Sequence, residues 1–262
     1  WLRWMHDVSR QQAAAERIEL PPYETVRREG WVYLKPSDKP RVMLETFRAD
    51  PEANPLKTPS GRIELFSETI AGFGYDDCPP HPSWLEPAEW LGKGDARHPL
   101  HLISNQPVTK LHSQLDHGSH SRAAKIDGRE PITIHPDAAG RRGIAHHQLV
   151  RVFNERGACI CAAVLSEAIR PGVVQLATGA WFDPEHPGEA GTTCKHGNPN
   201  VLTLDKGTSR LAQGPPAHSC LVDIAPLSAP PPQVTAFEPP EIVSRDGTSQ
   251  KSRPSGRLAG TS

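Results

Sequence analysis

The sequence predicts a mainly β fold with short helices, an α+β arrangement whose strands close into a small barrel. Three observations predict it. Short apolar runs recur between turn signals over 99–226, only one brief helical stretch falls among them, and 28 prolines and 21 glycines interrupt the chain. Short strands separated by closely set turns suit a barrel better than a sandwich of long strands.

The elements follow in order. Gln11–Leu20 holds good helix formers and stops at Pro21-Pro22. Glu24–Trp31 suits a short helix ending at Gly30, and Val42, Leu44 and Thr46 alternate as on a half-buried strand. None of this makes a self-contained core, so residues 1–56 are expected to be the remnant of a larger α/β body upstream. The opening Trp1, in place of methionine, reads as the start of a piece. Residues 57–98 form a connecting segment: the turn Thr58-Pro59-Ser60-Gly61, a short strand, then a Pro-rich stretch with Trp84 and Trp90. The compact domain spans 99–226. Its strands are expected at His101–Ser104, Ile132–Ile134, Leu149–Asn154, Ala158–Val164, Val173–Leu176 and Cys220–Ile224, with helical turns at Ala138–Arg142. Glu155-Arg156-Gly157 is a hairpin loop. Residues 227–262 are rich in Pro, Ser, Arg and Gly and lack the apolar content to offset ordering entropy, so a disordered tail is expected there.

A net charge of −1 gives no reason to expect nucleic acid or an anionic membrane as partner. No run of 18 apolar residues suggests a membrane span, and no charged-then-apolar leader opens the chain. Five irregularly spaced cysteines do not read as a disulfide framework, which points to a reducing, cytoplasmic setting, with the periplasm as the alternative.

Two stretches carry the chemistry. Residues 104–116 (Ser-Asn-Gln-Pro-Val-Thr-Lys-Leu-His-Ser-Gln-Leu-Asp) and residues 196–214 are dense in amide, hydroxyl and imidazole groups and are punctuated by Gly or Pro. An amide donates and accepts at once, as the edge of a pterin or guanine requires. Two such segments suggest two walls of a cleft for a large polar heterocycle. Read alone, the same residues also suit capped turns and surface loops.

Further stretches converge on one family: Thr58-Pro59-Ser60-Gly61-Arg62-Ile63-Glu64, Gly128-Arg129-Glu130-Pro131, Asn154-Glu155-Arg156-Gly157, Arg170–Leu176 and Thr178-Gly179-Ala180-Trp181-Phe182-Asp183-Pro184. From about Thr58 to Ile224 the chain resembles the C-terminal part of the dimethyl sulfoxide reductase family of molybdoenzymes, within it the biotin sulfoxide and trimethylamine N-oxide reductases. The resemblance implies a double-psi β-barrel that binds molybdopterin guanine dinucleotide, two of which hold one molybdenum. It implies two-electron removal of oxygen from a small S- or N-oxide. It also implies a metal-ligand serine on an upstream part of the same enzyme, so no catalytic or metal-ligating residue is assigned here. The electron donor is left open.

Carried over residue by residue, the resemblance assigns cofactor contact to Ser104, Asn105, Gln106 and Pro107, and to Lys110, His112, Ser113 and Gln114. It extends the assignment to Asn198 and Asn200, and to Gln213 and Gly214. Lys110 stands where the family usually has Arg and would meet a diphosphate as a point charge. His147-Gln148 replaces a usual Gly-Asp, so His147 would be strained by about 1 kcal/mol if its φ must be positive. Pro215-Pro216 is a second departure. The alternative reading is a stand-alone nucleotide- or protein-binding barrel without redox activity. Thirteen histidines invite a zinc reading, but the paired-ligand spacing of zinc sites is missing. Trp84, Trp90 and Trp181 read as packing anchors, and Arg141-Arg142 as a solvated helix face.

Overall fold

The computed structural model describes residues 1–35, 40, 42–93, 97–239, 242–243 and 249–250. The chain divides into two compact units, Trp1–Leu65 and Phe66–Ser262.

The first unit holds helices α1 (Leu2–Ala15), α2 (Tyr23–Glu29) and α3 (Glu45–Ala49), none of which buries a residue. Gly30 ends α2 at φ 77°, the left-handed cap that only glycine adopts without strain. Trp1 (86% exposed), Trp31 (69%) and Tyr33 (77%) face outward, and among the described residues of this unit none is buried. The strand expected at Val42–Thr46 is not formed. Leu44 is left-handed at φ 60° and leads directly into α3. Nor does a strand follow the turn at Thr58–Gly61: Ser67 caps helix α4 (Glu68–Phe73) by accepting from the Ile70 N–H at 3.3 Å.

The second unit is built on strands β1 (Leu100–Ile103), β2 (Pro131–Ile134), β3 (Leu149–Phe153), β4 (Ala158–Leu165), β5 (Val173–Leu176), β6 (Thr193–Cys194) and β7 (Cys220–Pro226). The order β2-β5-β1-β7-β3-β4 closes through a β2–β4 pairing into a six-stranded barrel, and β6 adds beside β4. The mostly β architecture with short helices read from the sequence is thus the observed one. Helices α5 (Ser119–Ala123) and α6 (Pro136–Gly140) lie in the connections. Pro136 opens α6, where its missing N–H costs nothing.

Alternation fills the core. Leu100 and Leu102, Ile132 and Ile134, Val150 and Val152, and Val174 and Leu176 point inward at essentially zero exposure. The first six residues of β4 are buried on both faces, and all but Ile160 are small: Ala158, Cys159, Cys161, Ala162 and Ala163 let β2, β3 and β6 all approach. All five cysteines are free thiols. Arg142 is not solvated as expected: it donates to Asp223 at 2.9 Å and to the Ala138 carbonyl at 3.1 Å. Among the described residues no helix is long and apolar enough to cross a membrane. Of the Pro- and Ser-rich tail, 227–239 is described and lies on the barrel, while most of the remainder lies outside the described residues.

Candidate functional site

Strand direction puts the two polar stretches at one end of the barrel. Ile103 pairs with Gln175, Leu102 with Cys220, Phe153 with Asp223 and Ile132 with Leu176. The C-terminal ends of β1, β3 and β5 and the N-terminal ends of β2, β4 and β7 therefore share one mouth. The connections 104–130, 154–157, 177–192 and 195–219 all emerge there.

The first stretch leaves β1 and is fastened by the connection after β5. Thr178 N–H donates to the Asn105 carbonyl at 2.9 Å, and the Trp181 indole donates to the Ser113 carbonyl at 2.8 Å. Gly179 (φ 95°) makes this possible: a Cβ there would lie 1.8 Å from the His112 carbonyl oxygen. The Gln106 amide lies 3.0 Å from His112 Nδ1, so that ring nitrogen accepts and the imidazole proton sits on Nε2. His112, Ser113 and Gln114 are exposed, while Ser104, Asn105 and Pro107 are half-buried.

Behind this loop lies a buried charge cluster. Lys110 Nζ is 3.2 Å and Lys125 Nζ 2.9 Å from Asp116 Oδ1, and both ammonium groups also contact Glu130 Oε1. The four side chains are 7% exposed or less. Lys110, expected on a diphosphate, is thus held between two carboxylates. Asp116 Oδ1 lacks a well-aligned hydrogen bond despite these distances; the short separations mark an electrostatic contact. Burial pushes the Asp116 carboxyl up. The Lys125 ammonium, the Trp181 N–H at 2.9 Å and Lys110 outweigh it and hold the group below the usual carboxylate range.

The second stretch joins the same cluster. His196 is fully buried, with Nδ1 3.8 Å from Asp116 Oδ2. Nδ1 also lies 3.0 Å from the Trp181 carbonyl, which only accepts, so Nδ1 carries the proton and donates. Burial and the Lys125 charge pull the imidazole below its ordinary pKa and keep it neutral. Glu130 N–H donates to the His196 carbonyl at 3.3 Å. Gly197 (φ 90°) packs so closely that a Cβ would lie 3.0 Å from the Glu130 Cβ. Asn198 Oδ1 accepts from Asn200 N–H at 2.9 Å and shapes the turn, leaving the Asn200 side chain exposed.

Gln213 and Gly214 stand in a loop that bonds to itself, Gln213 to the Ser209 carbonyl at 2.8 Å and Thr208 N–H to the Gly214 carbonyl at 3.0 Å. They share the barrel end with the other candidates but make no direct bond to them among the described contacts. Sequence reasoning missed Asp116, Lys125, Glu130 and His196 as a unit. Glu130 lay inside a quoted motif, but nothing in the chain order marks these four groups as neighbours.

A cleft of about 250 Å³ opens between Asn105, Pro107, Thr109, Glu130, Thr133 and Gln175. Asn105 Oδ1 is buried there without a hydrogen-bond partner, although its amide nitrogen donates to the Gln106 carbonyl at 2.9 Å. An orphaned buried acceptor beside a polar cleft is what a ligand N–H would satisfy, so the donor set fits a purine or pterin edge.

Comparison with known proteins agrees with this chemistry. Residues 100–221 match the family model described as "Molydopterin dinucleotide binding domain". The chain is 48% identical over 225 residues to the biotin sulfoxide reductase of Cereibacter sphaeroides, covering 86% of this chain and 30% of that protein. It is 42% identical over 242 residues to the dimethyl sulfoxide/trimethylamine N-oxide reductase of the same organism, covering 92% and 29%. With the trimethylamine-N-oxide reductase of Salmonella typhi it shares 43% identity over 251 residues, covering 94% and 29%. The chain therefore spans under a third of the length of these relatives. Among solved structures, acetylene hydratase from Pelobacter acetylenicus shares the fold, with a TM-score of 0.59 at 20% identity over 79% of this chain and 28% of that one. Residues 100–221 thus match the molydopterin dinucleotide binding domain model, within a chain similar over most of its length to part of the sulfoxide and N-oxide reductases.

Proposed function

We infer that this chain is the cofactor-binding C-terminal portion of a molybdenum-dependent S- or N-oxide reductase of the biotin sulfoxide reductase kind, working in the cytoplasm. The domain and its relatives imply molybdenum with molybdopterin guanine dinucleotide. When bound, that group supplies two-electron removal of an oxygen atom from the substrate. The part of this chain is to bind, orient and exclude water. The observation that carries the reading is the bare, buried Asn105 Oδ1 facing a cleft at the barrel mouth. Ring and exocyclic N–H groups of guanine or pterin are the donors it lacks.

In this reading Ser104, Gln106, Pro107 and His112–Gln114 line one side, and Asn198, Asn200, Gln213 and Gly214 the other. Lys110 contributes by holding its loop. The barrel has double-psi topology and spans 99–226, the segment 57–98 connects it to a larger body, and 1–56 belongs to that body. The lack of a buried residue among those described in the first unit and the threefold greater length of the relatives support this division. The metal-ligand serine and most of the substrate pocket would lie on that body.

The test is metal and nucleotide analysis of the full gene product from molybdate-supplied cells. Molybdenum and acid-released guanine nucleotide are expected together, with biotin sulfoxide reduced in preference to trimethylamine N-oxide. Asn105→Leu should lower cofactor occupancy. A wild-type protein with neither molybdenum nor guanine nucleotide overturns the reading.

A further inference from the structure

The segment Pro232–Glu238 returns to the barrel mouth after β7 has ended at the far end, where Leu227 N–H donates to the Leu149 carbonyl at 3.0 Å. Nine residues from Pro226 to Thr235 reach about 30 Å when extended, enough to run the length of a strand. Pro230-Pro231-Pro232 stiffens that run.

Together the anchors of the segment grip three different connections. The Arg129 guanidinium, before β2, donates to the Pro232 carbonyl at 2.5 Å. Asp183, after β5, accepts from Thr235 N–H and from Thr235 Oγ1, both at 2.7 Å. Lys195, after β6, donates to Thr235 Oγ1 at 2.8 Å and lies 3.1 Å from Asp183 Oδ1. The Phe237 ring sits 5.0 Å from the His196 ring and 5.6 Å from Trp181, both edge-on, and Arg122 lies 5.5 Å over it. Arg129 and Asp183 are 4% exposed in this arrangement. These connections also build the charge cluster and fasten the 104–116 loop through Trp181 and His196.

We propose that Thr235 and Phe237 are positioning residues: the segment Pro232–Glu238 is a strap that holds the three mouth connections in the shape the dinucleotide requires. The inference rests on the functional reading above and adds a part of the chain to which the family resemblance assigned nothing. Without the strap, Arg129, Asp183 and Lys195 would lose charge-assisted partners in a buried setting, and the connections would separate.

Amide hydrogen exchange on the chain tests the strap directly. Thr235→Val keeps the side-chain shape and removes the hydroxyl from Asp183 and Lys195. It should speed exchange in 181–183 and 195–198 by about tenfold or more, the effect of one lost charge-assisted hydrogen bond. Phe237→Ala should do the same, and Thr235→Ser should restore wild-type exchange. Amides of β3 and β4 report the barrel itself and should stay within about threefold of wild type. In the cofactor-loaded protein the two disruptive variants should release guanine dinucleotide faster, with Thr235→Ser again like wild type. Unchanged loop exchange overturns the strap. Faster loop exchange with unchanged dinucleotide release makes the strap merely structural and overturns its positioning role. Absence of dinucleotide from the wild-type protein removes the functional reading alone, and the exchange result still decides whether the strap exists.

Discussion

Replacing Asp116 by Asn tests the charge cluster most directly. Lys110, Lys125, Asp116 and Glu130 sum to zero charge, and their side chains are 7% exposed or less. At the 2.9 and 3.2 Å separations from Asp116, each ion contact is worth about 5–6 kcal/mol at an effective dielectric of 20. Desolvation of the four groups offsets most of that, so the cluster as a whole adds little net stability. Breaking its neutrality is different. Asp116→Asn can keep the Trp181 N–H bond through its amide oxygen but leaves two ammonium groups facing one carboxylate. The expected loss is about 3–5 kcal/mol. Lys110→Met alone should cost a similar amount, because it leaves a surplus negative charge. The double variant leaves Lys125 with Glu130, neutral again, and its cost should fall short of the sum by about 2–3 kcal/mol. The assay is exchange of the slowest β3 and β4 amides, which reports global opening of the barrel. Additive costs to within about 0.5 kcal/mol, or a loss below about 1 kcal/mol for Asp116→Asn, would refute the reasoning.

Three further outcomes are expected. Gly179→Ala should lower stability by at least about 2 kcal/mol, since φ is 95° and the added carbon meets the His112 carbonyl at 1.8 Å; the same exchange assay and faster proteolysis within 104–116 check it. His147 has φ 65°, so His147→Gly should stabilise the barrel by up to about 1 kcal/mol, read as a rise in Tm. His196 has a folded-state pKa below its unfolded value, so the unfolded chain takes up the proton first as pH falls. Stability that is full above about pH 6.5 is therefore lost below it, with a slope of at most about 1.4 kcal/mol per pH unit, and His196→Gln should flatten that slope.

The barrel was legible because its signals are local. Alternation at Ile132–Ile134 and Leu149–Phe153, the Asn154–Gly157 turn and the apolar run of β4 each stand in a few consecutive residues. The strand expected at Val42–Thr46 failed because three alternating residues need a paired neighbour, and none exists among the described residues. Asn105 was legible as an amide in a polar run. Its bare oxygen was not, because that depends on Thr178 and Gln106 occupying the surrounding backbone groups. Positive φ at His147 was anticipated from a glycine usually found there, which is backbone information carried by residue type. The surroundings of Lys110 were not legible for the opposite reason: Asp116, Lys125 and Glu130 meet it only after the connection between β1 and β2 folds back on itself.

The placing of β7 between β1 and β3 sets a delay in biogenesis. Leu100 waits for Val222, more than a hundred residues later, so at ribosomal speeds of about 5–20 residues per second the gap stays open for roughly ten seconds. For that interval both flanking strands offer raw hydrogen-bonding edges to any neighbouring chain. A nascent polypeptide of this design would need shielding until Cys220–Pro226 slots home, and only then is there a finished receptacle for anything to enter.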